Sequence, residues 1–255
     1  MSPVAPALPS KTFRQAFRIA KRWLKSRVGR DVFVRPRCSV PLVTLGDGAG
    51  AWTLSPESLG RDSVVYSLGV GRDISFERAL IEQYNVTVHA FDPTPLALGW
   101  AESQQLPQRF VLHPVGVADY DGTACFQPPI KAKFESFSLV RTSGVGTAIE
   151  APVQRLGTLT RMLGHSKVDL LKMDIEGAEY QVIRDLLESR IEIRQVLVEF
   201  HHRWKEVGAL QTRQAIKALG EGGFDLVAVS PAGTEYTFIL QARERPAQNS
   251  SSTAG

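Results

Sequence analysis

The sequence predicts an α/β protein: a doubly wound, mainly parallel sheet of seven strands with an antiparallel hairpin at its C-terminal end. Three observations carry this. Short apolar runs of strand length alternate with stretches of helical periodicity, which is the pattern of strands crossing over through helices on both faces of a sheet. A glycine turn, Gly69 and Gly71, follows directly on the first strong run. The last two runs are joined only by 230-SPAGTE, too short for a crossover, and so read as an antiparallel pair.

In chain order, residues 1–10 are Pro- and Ala-rich, without periodicity. From Lys11 to Arg27, Phe13, Phe17, Ala20 and Leu24 recur at three- and four-residue spacing against a face of Lys and Arg, an amphipathic helix. It is expected either to pack on its own domain through Phe13, Phe17 and Leu24, or to lie on an anionic membrane surface or partner. Residues 40–54, with Gly46, Gly48 and Gly50, suggest a small β-hairpin. The expected strands are then Ser63–Leu68, Val86–Phe91, Phe110–His113, Val168–Met173, Gln195–Phe200, Phe224–Val229 and Tyr236–Leu240, with a helix from the glycine turn to about Tyr84. The segment 131-KAKFESFSL, with Ser136 and Ser138, reads as a loop crossing near the strand ends. The tail 246-PAQNSSSTAG has the composition of a disordered segment. The domains expected are an N-terminal extension over 1–37, a folded domain over 38–245 and the tail.

Composition narrows the class. Hydrophobic content of 43% and 22% charged residues are ordinary for a globular protein. No apolar stretch approaches the roughly 18 residues of a spanning helix, and the N-terminus lacks an apolar core of signal-peptide length. Two cysteines, Cys38 and Cys125, lie far apart without metal-ligand spacing, which suits a reduced, cytoplasmic setting. Residues 1–37 hold ten basic side chains against the single Asp31, a net of +9, which leaves −5 for the rest of a chain whose total is +4. The basic character thus belongs to the extension, and nucleic acid is not the expected partner of the domain.

In 64-VVYSLGVGRDISFERAL-80 a strand runs into Gly69 and Gly71 and then into a helix. Such glycines let the backbone turn sharply and approach a ligand, at a helix N-terminus with free N–H groups. The next strand ends in Asp92, 21 residues after Gly71, where an acid can accept from the two ribose hydroxyls of an adenosine cofactor. A nicotinamide fingerprint would need a third glycine where Ile74 stands. The tyrosines Tyr66, Tyr84, Tyr120, Tyr180 and Tyr236 also lack a lysine four residues on. A cofactor without phosphates, S-adenosylmethionine, fits better.

The segment 168-VDLLKMDIEGAEYQVI-183 ends an apolar run in Asp174, Glu176 and Glu179 around Gly177. Negative charge at the start of the following helix accounts for Glu179 and mostly for Glu176. It accounts less well for Asp174, which the strand places where ligands of open α/β sheets bind.

This segment resembles the hallmark of the FkbM-type S-adenosylmethionine-dependent methyltransferases, with 153-VQRLGTLTRML as its lead-in. VVYSLGVGRDISFE resembles the cofactor loop of that family, HAFDPTP its ribose motif, and 113-HPVGVADYDGT the segment after the third strand. The resemblance implies a Rossmann-like class I methyltransferase fold, S-adenosylmethionine as cofactor, and contacts to it from Ser67, Gly69, Val70, Gly71, Asp73, Asp92, Pro93, Gly116 and Asp174. Ser67 departs from relatives that carry an acid there, and Asp73 is the expected substitute.

The implied reaction is methyl transfer to a hydroxyl, on a sugar or natural-product-like small molecule or glycan. Asp174 is the first candidate base, followed by His201 or His202; Glu176 stands beside them, and Glu199 is expected to pair with a histidine or with Arg203. Asp174, Glu176, Glu199 and His201 are also conceivable as a divalent-metal site, but their spacing is not diagnostic and no metal is expected. The alternatives are a nicotinamide-dependent oxidoreductase and a non-catalytic adaptor that retains cofactor binding, with the basic helix, possible anchor of a membrane-associated protein, as its working part.

Overall fold

The apolar runs become a sheet because each can bury both faces only between two layers of helices. A computed structural model describes residues 11–57, 59–128, 137–139 and 147–241, and for 11–17 the backbone only. The first ten residues, Ser136 and the tail from 246 lie outside the described residues. The central strands are β1 Val64–Leu68, β2 Thr87–Phe91, β3 Phe110–His113, β4 Leu170–Met173, β5 Gln195–Glu199, β6 Phe224–Val229 and β7 Glu235–Leu240. They lie in the order 3-2-1-4-5-7-6. Strands β1 to β5 run parallel to one another, and β7 runs antiparallel between β5 and β6. This is the expected doubly wound sheet with its antiparallel C-terminal pair.

The helices are α1 Lys11–Arg27, α2 Ser75–Tyr84, α3 Pro95–Glu102, α4 Leu156–Met162, α5 Glu179–Ser189 and α6 Gly208–Glu221. Strand alternation sends Tyr66, Leu68, Leu171, Met173, Val196 and Val198 against Leu159, Val182, Ile183, Leu186 and Leu219 of α4, α5 and α6. On the other face Val65, Leu170 and Leu197 meet Phe76 and Leu80 of α2. The hairpin Val43–Leu45/Trp52–Leu54 closes that layer through Leu45, Trp52 and Leu54. Gln195 ties it down, accepting from the Ser55 amide at 2.7 Å and donating to its carbonyl at 3.1 Å.

Three features depart from expectation. The run Val168–Met173 is divided at Asp169, whose buried carboxylate accepts from the Val64 amide at the start of β1; Lys167–Val168 pairs with Glu192–Ile193 instead. A second sheet of Gly116–Val117, Gly122–Phe126 and Ile149–Gln154 stands beside the main one, with a small core of Ala118, Ala124, Phe126, Ala151 and Val153. And α1 does not pack through Leu24, which is 63% exposed. The side chains of Phe13 and Phe17 lie outside those described. Among the described side chains of that helix the buried one is Arg22, whose guanidinium donates to Val32 O at 3.2 Å and Ser230 O at 3.4 Å, beside Gly233.

Candidate active site

The carboxyl ends of β1, β2 and β4 open into one cleft of about 290 Å³. Around it the structure brings together Gly69, Val70, Gly71, Asp73, Asp92, Pro93, Gly116, Asp174 and Glu176. Of the residues singled out for the cofactor, Ser67 alone does not line it. Strand alternation turns Ser67 to the α2 face, where its hydroxyl donates to Glu77 Oε1 at 2.5 Å.

The glycines have different reasons. Gly69 has φ +73°, and a Cβ there would stand 1.8 Å from the Asp174 carbonyl oxygen, so the ends of β1 and β4 touch only because the residue has no side chain. Gly71 has φ +53° with open space where a Cβ would go, so only its conformation requires glycine. Its N–H and that of Val70 donate to Asp92 Oδ2 at 3.0 and 3.2 Å. Asp92 Oδ1 accepts from the Thr94 amide at 3.0 Å and hydroxyl at 2.6 Å. The carboxylate expected to meet a ribose thus also shapes the glycine loop, and an added hydroxyl competes with the Thr94 hydroxyl for Oδ1.

The floor of the cleft is a buried ion pair that sequence reasoning missed. Lys172 Nζ donates to the Gly69 carbonyl at 2.8 Å, lies 3.7 Å from Glu77 Oε1, and sits 5.4 Å from the Trp52 ring centroid. Glu77 and Lys172 are 1% and 4% exposed. Ser67 from β1 and Glu77 from α2 are joined there by their hydrogen bond. Asp73 caps Ser75 N at 2.9 Å at the rim.

The turn after β4 gathers the titratable groups of the cleft. Glu176 has φ +53° and Gly177 φ +98°; the former, a non-glycine residue in left-handed backbone, stores about 1 kcal/mol of strain. Ser138, buried, donates its hydroxyl to the Glu176 carbonyl and holds the turn. Glu179 is not a solvated helix-start acid: it is wholly buried, and accepts from the Ile175 and Gly177 amides at 3.1 Å and from His201 Nδ1 at 3.0 Å. The other ring nitrogen, Nε2, lies 3.1 Å from Glu176 Oε2 and 3.9 Å from Asp174 Oδ1. His202 points elsewhere, to Asp31 at 3.0 Å beneath α1, and Arg203 joins the same Asp31 instead of Glu199.

These groups titrate together. Burial opposes charge on His201, but the Glu179 and Glu176 carboxylates hold its pKa well above the usual imidazole value. Burial pushes Asp174 up to about 6, with Glu176 adding to the shift and Lys172 and His201 opposing it. Glu199, half-buried near Asp174, is pushed up to about 8 by desolvation and by the Asp174 charge. The shifts are linked: positive charge on His201 favours the ionised form of Asp174 and of Glu199, while burial of both acids opposes it. Asp174 Oδ1 has no hydrogen-bond partner among the described residues.

Asp174, Glu179 and His201 each place one ligand atom within 4.8 Å of the others. A divalent cation there would have to displace the His201–Glu179 hydrogen bond. A second cavity of about 330 Å³ shares Leu139 and Ala178 with the cleft and is walled by Asp119, Tyr120, Gln181, Glu206 and Gln211. Gln181 Oε1 is buried there without a partner among the described residues.

Sheet order, glycine loop and acid-bearing strand ends together define a class I methyltransferase fold. The chain belongs to the methyltransferase FkbM domain family, whose model matches residues 46–243. It is 25% identical to the 2-O-methyltransferase NoeI of Sinorhizobium fredii over 71% of this chain and 79% of that protein. It is 26% identical to the 31-O-demethyl-FK506 methyltransferase FkbM of Streptomyces tacrolimicus, over 71% and 80%. With the probable methyltransferase-like protein 24 of Rattus norvegicus it shares 29% identity over 64% of this chain, and spans 39% of that longer protein. Among the described residues no helix is long and apolar enough to cross a membrane.

Proposed function

We propose that the protein is an S-adenosylmethionine-dependent O-methyltransferase acting on a hydroxyl of a sugar or natural-product-like molecule. The observation that carries this reading is Asp174: a carboxyl group with an oxygen unpartnered among the described residues, at the end of a central strand, against the loop of Gly69.

The cleft suits that cofactor by charge. Its lining has five acids, Asp73, Glu77, Asp92, Asp174 and Glu176, against Arg72 and Lys172. Such a surface favours a cationic sulfonium and disfavours a pyrophosphate, which argues against the nicotinamide alternative. Val70, Gly71, Asp92, Pro93 and Gly116 would hold the adenosine end, and Lys172 keeps the loop in shape through the Gly69 carbonyl.

The bound cofactor supplies an electrophilic methyl group; the chain's part is to align an oxygen nucleophile and take its proton. Asp174 is the group we assign as proton acceptor. His201, held protonated, serves better as the fixed positive charge that keeps Asp174 ionised than as a base. Glu179 sets the ring's orientation, as the buried carboxylate of a histidine–acid pair does. The second cavity, with neutral amides, Tyr120 and acids but no basic side chain in its lining, suits an uncharged hydroxyl-rich acceptor better than an anionic one. NoeI, a 2-O-methyltransferase, and FkbM, a 31-O-demethyl-FK506 methyltransferase, support the same class.

Titration calorimetry with S-adenosylmethionine and with NADH tests the cofactor, and heat with NADH alone would overturn the reading. Radiolabelled methyl transfer to a cell extract, wild type against Asp174→Asn, separates enzyme from adaptor: label in neither protein leaves an adaptor.

A further inference from the structure

Helix α1 is docked inside out. Among its described side chains, Arg18 to Arg27, the buried one is the charged Arg22, fixed by the Val32 and Ser230 carbonyls and stacked 5.8 Å from the Phe33 ring centroid. The large apolar residues described there face water instead: Ile19, Trp23 and Leu24, and Val28 in the turn that follows, are 40, 46, 63 and 65% exposed. Ile19 and Trp23 are four residues apart, as are Leu24 and Val28, so each pair stacks along one side of the helix. Exposed bases flank them: Arg18, Lys21, Lys25, Arg27 and Arg30. Between Lys11 and Arg30 there is no acid at all, and the nearest, Asp31, is buried beneath the helix with His202 and Arg203. A helix that exposes apolar surface in solution while burying a cation has its apolar face reserved for something outside the domain.

We propose that this face is a peripheral membrane anchor that lays α1 flat on an anionic lipid surface, with Ile19, Trp23, Leu24 and Val28 in the headgroup–acyl boundary and the surrounding bases on lipid phosphates. Three arguments choose this occupant. The helix is too charged to span a bilayer, but a basic face combined with an aromatic and aliphatic one is what interfacial helices present. A nucleic acid would use the bases and leave the exposed Trp23 and Leu24 without a role. A second copy, face against face, would bring two sets of bases together with no acid between them. Arg22 has the part of a hinge pin: its bonds to Val32 and Ser230 set the helix's rotation so that the apolar side points outward.

The full chain is spun with vesicles of phosphatidylcholine alone and of phosphatidylcholine with a third phosphatidylserine. Three variants accompany it: Trp23→Glu/Leu24→Glu, which removes apolar surface, Lys21→Ser/Lys25→Ser, which removes charge, and Arg22→Met, which removes the pin. The expected result is binding to the anionic vesicles that weakens with salt and falls about tenfold or more in each of the first two variants, with thermal unfolding unchanged. Trp23 fluorescence should shift to the blue on binding. Wild-type protein that stays in the supernatant with both vesicles overturns the proposal. So do first variants that pellet like wild type, a dimer in sedimentation velocity that Trp23→Glu dissolves, or tight RNA binding that the Trp23→Glu/Leu24→Glu variant leaves intact. If Arg22→Met unfolds, the first two variants decide alone.

Discussion

Glu179 and His201 form a buried pair, Oε1 to Nδ1 at 3.0 Å, with the carboxylate wholly buried and the ring nearly so. Glu179 satisfies the Ile175 and Gly177 amides as well, so one side chain shapes the turn after β4 and aims the ring that faces Asp174. Removing it strips partners from three donors in a dry environment. Glu179→Ala is expected to cost about 3–5 kcal/mol, the penalty of breaking a buried pair. Glu179→Gln keeps an acceptor but not the charge, and should cost less. Urea denaturation of both variants checks the order.

Asp174 separates binding from chemistry. Asp174→Asn preserves shape and removes the proton acceptor, so methyl transfer should fall about a hundred- to ten-thousand-fold while cofactor binding by calorimetry stays within a few fold. The pH dependence follows from the same group. Asp174 accepts a proton only when ionised, and burial sets its pKa at about 6, so wild-type transfer should climb between pH 5 and 7 and then level off. A rate independent of pH across that range would place the base elsewhere.

Much of this arrangement was legible in the residues. Strands buried on both faces read as continuous apolar runs, which is why β1 and β5 fall within a residue of where the runs predict, and the glycine and DIEGAE segments lead to one cleft. What stayed hidden is the fate of charged side chains. Glu179 looks like a helix-start acid and Glu77 like a surface residue of SFERAL, because no local signal tells that a carboxylate will be buried against a histidine or a lysine from another strand. Helix α1 misleads in the opposite sense: periodicity put Leu24 inward, while Arg22 found carbonyl acceptors from residues 32 and 230. The strands of the second sheet are short and separated by up to some twenty residues, and their pairing is tertiary.

A histidine cluster on the sheet edge makes a stability prediction independent of function. His89 stacks on His113 at 5.3 Å and meets His165 edge-on at 4.9 Å, and Tyr66 OH bonds His165 Nδ1 at 2.8 Å. Burial and the neighbouring rings lower His89 to about 4, and burial lowers His113 and His165 too. The unfolded chain therefore binds more protons between about pH 4 and the ordinary imidazole value near 6.5. This contribution is fully present above that value and is lost as pH falls toward 4. Glu199 and His201, raised by their surroundings, run the other way, so the difference between proteins is the clean measure. His89→Phe should lose less thermal stability than wild type between pH 7 and 5.

The two glycines of the loop should fail differently. Gly69→Ala forces a Cβ to within 1.8 Å of a backbone oxygen at φ +73°, and neither β1 nor β4 can yield without breaking the sheet. It is expected to destabilise by more than about 4 kcal/mol or to leave the protein insoluble. Gly71→Ala meets no atom, and its φ of +53° costs only about 1–2 kcal/mol. That variant should fold, and any shift of the backbone back toward negative φ would pull the Gly71 N–H off Asp92. Its signature is a folded protein, with unfolding slightly earlier than wild type, whose heat of cofactor binding is weakened severalfold. A Gly71→Ala protein that binds like wild type would show that the Asp92 cradle does not depend on this turn, and that the ligand is held from β4 and the second sheet.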